Sequence, residues 1–284
     1  MNQEENQYIS LIKTILEKGT LEKGRNGNTY CIFGYSMRFD LHENQIPILT
    51  TKKLSWKTCV KELLWFIKGE TDNKILQSQG VHIWDGNSSR DFLESRGLNY
   101  EEGLLGPIYG FQWRHFQGDY ENQTGGVDQL KNIIDQLKNP ETRNSRRLIM
   151  TAWNPCQIDE MALPPCHVMC HFQYCNNKLS CAMYQRSGDV GLGVPFNILS
   201  YSVLTHLIAK HCNLDVGEFV YFLGNAHIYE EHINPLKEQI IREPYIFPKI
   251  NIKNIYEKID DYTMDDFEII DYKCHKKVVM NMIA

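Results

Sequence analysis

Between Leu163 and Asn197 the chain gathers a thiol (Cys166), an imidazole (His167), a guanidinium (Arg186), a hydroxyl (Ser187), a carboxylate (Asp189) and a carboxamide (Asn197) within 35 residues. A thiol attacks as its thiolate, and a fixed cation such as Arg186 lowers the pKa that controls it. Arg186 can also grip a phosphate bidentately, with the Ser187 hydroxyl as a second donor. The set suits covalent attack on a phosphorylated small molecule.

Two strands must position these groups. Cys166 leaves a Pro-Pro corner and enters an alternation of Val168, Cys170 and Phe172 against His167, Met169 and His171, the pattern of a strand with one buried face. Asn176-Asn177 signals a turn, and Leu179 to Tyr184 alternates again, so a hairpin carries Arg186 and Ser187 back toward Cys166. Of the nine cysteines, Cys31, Cys59, Cys170, Cys175, Cys181 and Cys212 read as small buried hydrophobes. Zinc bound by Cys166, His167, Cys170 and His171 is rejected, because neighbours in one strand point to opposite faces and no Cys-x-x-Cys knuckle is present. No metal is expected.

The 284 residues suffice for a sizeable core and contain no linker or low-complexity tract, so a single domain over 1–284 is expected. A net charge of −5 and a pI near 6.1 argue against a general nucleic-acid or membrane-surface role. The first residues, Met-Asn-Gln-Glu-Glu-Asn, carry neither a basic nor an apolar leader segment, and no run of about 18 apolar residues occurs. An odd cysteine count fits a reducing compartment. The expectation is a cytoplasmic protein, with the nucleus also open to it.

Further along, apolar spacing predicts a helix from Tyr8 to Leu16 ended by Gly19, a strand-like run from Tyr30 to Phe39, and a helix from Trp56 to Gly69 that places Glu62 among apolar neighbours. Additional helices are expected over Val127 to Leu137 and Pro195 to Cys212, and strands over Gly217 to Phe222 and Phe267 to Ile270. The loop Lys23 to Thr29 reads either as a phosphate cradle around Arg25 or as an ordinary turn with a solvated arginine. Arg143, Arg146 and Arg147 read on composition as a solvated patch.

Three long motifs, Met161-Ala-Leu-Pro-Pro-Cys-His167, Tyr184-Gln-Arg-Ser-Gly-Asp189 and Leu192-Gly-Val-Pro-Phe-Asn197, make the chain similar to the folate-dependent thymidylate synthase family from about Tyr8 onward. The segment Ser88 to Glu102 resembles the eukaryotic branch. The resemblance implies an α+β fold: a large, mostly antiparallel or mixed sheet with flanking helices, packed against a homodimer mate. It implies dUMP and reduced folate as partners, 5,10-methylenetetrahydrofolate as co-substrate, and reductive methylation to dTMP.

The same resemblance assigns residues. Cys166 attacks the pyrimidine, with Glu62, Tyr109, Asn197 and Asp189 completing the catalytic set. Arg25, Gln185, Arg186, Ser187, Gly188, Asp189, Asn197, His227 and Tyr229 would hold dUMP, and Arg146 and Arg147 would reach the partner's phosphate. Ile83, Trp84, Asn87, Asp189, Leu192, Gly193, Phe196 and Ile283 would form the folate wall. The carboxamide of Asn197 matches the O4 and N3–H edge of uracil, whereas an Asp would suit cytosine.

The chain departs from the family at several points. Leu104 and Asn225 stand where the family usually has Asp, Asn26 where it has Thr, Cys274-His275-Lys276 where it has Pro-His-Pro, and the Ile283-Ala284 order is reversed. Two alternatives stay open at this point. One is a pyrimidine hydroxymethylase on the same scaffold, against which Asn197 and Trp84 argue; the other is a non-catalytic binding protein, for example an RNA regulator.

Overall fold

A computed structural model describes residues 2–24 and 27–282. In chain order the helices and strands are α1 (Glu5–Lys18), β1 (Thr20–Gly24), β2 (Gly27–Asp40), α2 (Trp56–Ile67), α3 (Asn73–Ser78), α4 (Asp85–Ser88), α5 (Arg90–Ser95), α6 (Tyr109–His115), α7 (Gln129–Lys138), β3 (Ile149–Thr151), β4 (His167–Cys175), β5 (Lys178–Asp189), α8 (Gly193–His211), β6 (Asp215–Tyr229), α9 (Ile233–Gln239), β7 (Lys249–Ile252) and β8 (Phe267–Ile270).

Six strands form one sheet in the order β1-β2-β6-β5-β4-β3. Every neighbouring pair is antiparallel except β5 and β6. The parallel pair is available because α8 crosses between its two strands. The result is the mixed sheet with flanking helices expected from the sequence.

The β4–β5 hairpin turns where the sequence signals it. Asn176 and Asn177 both take positive φ, 49° and 62°, the pair of left-handed residues that a two-residue hairpin turn needs. The pairing shifts register between His167 and Met169, next to Cys166. Such an irregularity re-aims the side chains at the strand's start.

Helix α8 is apolar on nearly all sides and lies buried between the sheet and α2. Helix α1 turns Tyr8, Leu11, Ile12 and Ile15 inward. Its Glu5, fully buried, accepts from both backbone N–H groups and both hydroxyls of Thr50 and Thr51. A buried carboxylate is stable only when so satisfied, and here it fixes the segment that leads into Lys52. The hydroxyl of Tyr8 donates to Val190 O at 2.8 Å, tying α1 to the turn after β5. Among the described residues no helix is long and apolar enough to cross a membrane.

Candidate active site

A cavity of about 520 Å³ opens at the end of β5 and β6, under α2, α4 and the C-terminal segment. It is lined by Cys166, Glu62, Tyr109, Asn87, Asn197, Asp189, Ser187, His227 and Tyr229, with Ile83, Trp84, Leu192, Gly193 and Phe196 forming its apolar side. A larger depression of about 630 Å³ lies behind α4, but its lining of Lys74, Arg90, Glu101 and Glu102 includes none of these groups. The side chains singled out in the sequence therefore converge on the first.

The hairpin brings its two ends together as the alternation predicts. Arg186 N donates to Cys166 O at 2.9 Å. The Arg186 guanidinium donates to the carbonyls of Pro165 (2.8 Å) and Pro164 (2.9 Å) and lies over the Trp153 ring. These bonds use two of its five N–H donors. One part of the sequence reading needs correction: burial raises the Cys166 thiol above its ordinary value, and the pull of Arg186 in the opposite direction is the smaller effect. The cation is present, but desolvation wins.

The backbone N–H of Cys166 donates to the Tyr109 hydroxyl at 2.7 Å, which holds the phenol beside the residue that carries the thiol. His167, the next residue, lies between the rings of Tyr109 and Tyr201 and is pushed down to about 4 by burial, so it is a neutral imidazole in the pocket wall. The sequence reading counted its imidazole in the central stretch but gave it no role.

Glu62 projects from the buried side of α2. Burial pushes its carboxyl up to about 7, and the Trp84 indole N–H, donating at 2.7 Å, acts in the opposite sense. A carboxyl poised there both gives and takes protons near neutrality.

Asn197 is the fifth residue of α8. Its Nδ2 donates to Gln185 Oε1 at 2.8 Å, Tyr221 O–H donates to the same oxygen, and Gln185 Nε2 donates to Ser187 O at 2.8 Å. Gln185 thus spends its amide inside the protein and orients Asn197, whose carboxamide also bonds His167 and faces the cavity. Gly188 also has a packing reason, since a Cβ there would stand 2.8 Å from Leu223 and 3.0 Å from Val194.

The departure at Asn225 is explained. Its Oδ1 stands 2.9 Å from His227 Nδ1, so it accepts the Nδ1 hydrogen and leaves Nε2 as an acceptor. Burial lowers His227, and a neutral amide does not restore the charge that an Asp would favour.

Arg146 and Arg147 are exposed in the turn before β3 and do not line the cavity of this chain. Arg25 and Ile283 lie outside the described residues. The structure adds Lys52, which sequence spacing gave no means to find. It is buried, donates to Gly191 O at 2.5 Å, and is lowered to about 8 by burial against the opposing pull of Asp189.

Comparison with known proteins gives a consistent picture. Residues 6–284 match the model of the family described as thymidylate synthase. The chain is 51% identical to thymidylate synthase of Homo sapiens, over 97% of this chain and 90% of that protein. It is 48% identical to thymidylate synthase 1/2 of Encephalitozoon cuniculi, over 99% of this chain and 97% of that one. It is also 51% identical to the bifunctional dihydrofolate reductase-thymidylate synthase of Paramecium tetraurelia, but there spans 61% of the relative's length.

Proposed function

The chain belongs to the thymidylate synthase family, and on that premise we propose that it converts dUMP to dTMP. The observation that carries the reading is the convergence of Cys166, Tyr109, Glu62, Asn197 and Asp189 on one cavity whose other side is apolar. The arrangement also fits a reduced folate. Trp84, Ile83, Leu192 and Phe196 offer faces for a flat heterocycle, while Asp189 and Asn87 offer polar partners for its edge. When bound, 5,10-methylenetetrahydrofolate supplies both the carbon and the hydride.

In this reading Cys166 Sγ adds as thiolate to C6 of the pyrimidine, forming an S–C bond at the expense of the C5=C6 π bond and making C5 nucleophilic; the S–C bond breaks again, returning the thiolate, when C5=C6 is restored in the product. Asn197 holds the O4 and N3–H edge, and Glu62, through water, stabilises negative charge that develops at O4. Tyr109 stands by the proton that leaves C5. Arg186 and Ser187 hold the phosphate, together with Arg25. His227 and Tyr229 hold the sugar hydroxyl. Asp189 anchors the pterin, and closure by the C-terminal residues, Ile283 among them, excludes water.

The chain acts as one domain and as a homodimer. Two observations support the dimer: Phe222 and Tyr184 are neighbours in register on β6 and β5 yet stay exposed, and Phe33 on β2 is 86% exposed. An isologous sheet-to-sheet contact would cover them and bring Arg146 and Arg147 of each copy to the other's phosphate site.

The test is to mix the protein with dUMP and methylenetetrahydrofolate, follow dihydrofolate absorbance near 340 nm, and weigh the nucleotide product. A rise with a product heavier by one methylene unit supports the synthase. A product carrying a hydroxymethyl group, without the rise, would replace this reading with the hydroxymethylase.

A further inference from the structure

His232 follows β6 and is 1% exposed, within a few ångströms of the cavity yet not part of its lining. Its Nε2 stands 2.8 Å from the carbonyl of Asn281, 49 residues later in the C-terminal segment. A carbonyl only accepts, so Nε2 carries a hydrogen. The other ring nitrogen, Nδ1, is buried without a hydrogen-bond partner, and Asp189 Oδ1 faces it at 3.6 Å. The approach is close on every side, since a Cβ on Gly191 would come within 2.7 Å of that nitrogen. Asp189 Oδ1 is itself held by Gly191 N at 2.8 Å.

A neutral ring with its hydrogen on Nε2 would turn the Nδ1 lone pair toward a carboxylate. A proton on Nδ1 removes that conflict and allows a charge-assisted bond across the gap.

We propose that His232 is a positioning residue that ties the C-terminal segment to Asp189, so that closure of the chain's end and the carboxylate that anchors the folate ring act as one unit. The proposal rests on the reading of Asp189 as the pterin anchor. The groups facing His232 are Asp189 from β5, His227 and Tyr229 from β6, Lys52 from the segment before α2 and the Asn281 carbonyl. Burial pulls the imidazole down and Lys52 adds to that, but Asp189 and Asn281 together outweigh both, and the net shift is upward.

The sign follows from that direction. A raised folded value means that the tie is complete below the ordinary imidazole range of about 6.5 and is lost as pH rises through the folded value.

The experiment measures hydrogen–deuterium exchange of residues 276–282 in the full chain at about pH 6 and about pH 8, corrected for intrinsic rates. His232→Ala and His232→Gln are compared with the parent. The parent should protect this segment about three- to tenfold better at the lower pH, the range expected for one hydrogen bond. His232→Gln keeps a donor for Asn281 but has no proton to gain, so at both pH values it should show the parent's protection at the higher pH. His232→Ala should lose both, raise KM for methylenetetrahydrofolate by a similar factor and leave dUMP affinity within about twofold. Unchanged exchange in His232→Ala, or pH dependence that persists in His232→Gln, would overturn the tie. A merely structural histidine would lower Tm without moving the folate KM or the pH dependence. A parent protein that makes no dTMP would instead remove the proposed function, while the exchange data still decide whether His232 holds the segment.

Discussion

Trp84 Nε1 donates to the Glu62 carboxyl at 2.7 Å, so the residue that walls the apolar side of the cavity also orients its buried carboxyl. Glu62→Gln should lower turnover by about 10²- to 10⁴-fold with little change in dUMP binding, and should remove the limb of the pH–rate profile that lies near neutrality. Stability has the opposite sign. Burial raises the folded value from 4.5 to about 7, so the folded state favours the protonated acid and loses stability as pH rises through that interval. Above it Glu62→Gln should be the more stable protein, by about 3 kcal/mol at most, read from urea unfolding at acidic and alkaline pH.

Cys166 carries a related expectation. Because burial outweighs Arg186 at the thiol, iodoacetamide should alkylate the free protein slowly at neutral pH and faster as pH climbs past the ordinary thiol value. Arg186→Ala should slow alkylation further and release Pro164 and Pro165. Cys166→Ser should bind dUMP within a few-fold of the parent and have no turnover. Substantial dTMP formation by that variant would remove Cys166 as the nucleophile.

Asn197→Asp replaces an N–H donor by a carboxylate oxygen 2.8 Å from Gln185 Oε1. The Gln185 amide cannot turn to relieve the conflict without giving up Tyr221 or Ser187 O. We expect kcat/KM for dUMP to fall by at least about 10²-fold. Binding of dCMP, measured by calorimetry, should improve relative to dUMP.

Two imidazoles should control stability in acid. His167 and His206 are both pushed by burial from 6.5 to about 4. The folded state favours the neutral ring, so this contribution is complete above 6.5 and is lost as pH falls toward 4, up to about 3 kcal/mol per ring. His206→Gln, which can still donate to the Gln45 carbonyl, should flatten the decline of the urea midpoint between neutral pH and pH 4.5.

Much of the fold was legible because periodicity reports burial directly. Helices α1, α2, α7 and α8 lie within a few residues of their expected bounds, and Asn176-Asn177 turns as its composition demands. Strand β6 runs well beyond the expected Gly217 to Phe222 because it pairs on both edges, with β2 and with β5, and both partners extend it. Helices α3, α4 and α5, of four to six residues, are too short to show a period, and side-chain caps such as Asp72 and Ser89 sustain two of them. The cysteine–arginine hairpin could be read locally. Lys52, His167 and His232 could not, because burial and partners from remote segments define their roles. The direction of the thiol's shift was missed for the same reason, since a neighbouring charge can be read in sequence but desolvation cannot.

The pairing of β2 with β6 also sets a timetable. Thr29 finds its partner in Tyr229, and β5 finds its parallel neighbour only after α8 has been made. On a chain leaving the ribosome Cys166 and Arg186 are therefore made before β6, and until β6 follows two of the sheet's inner contacts cannot exist. Closing loops of this length is slow, and the open edges of β2 and β5 are exposed to other chains in the interval. The cavity draws its lining from β5, β6 and the C-terminal segment, so it cannot be complete before these are made, and until then Cys166 lies outside the environment that raises its pKa.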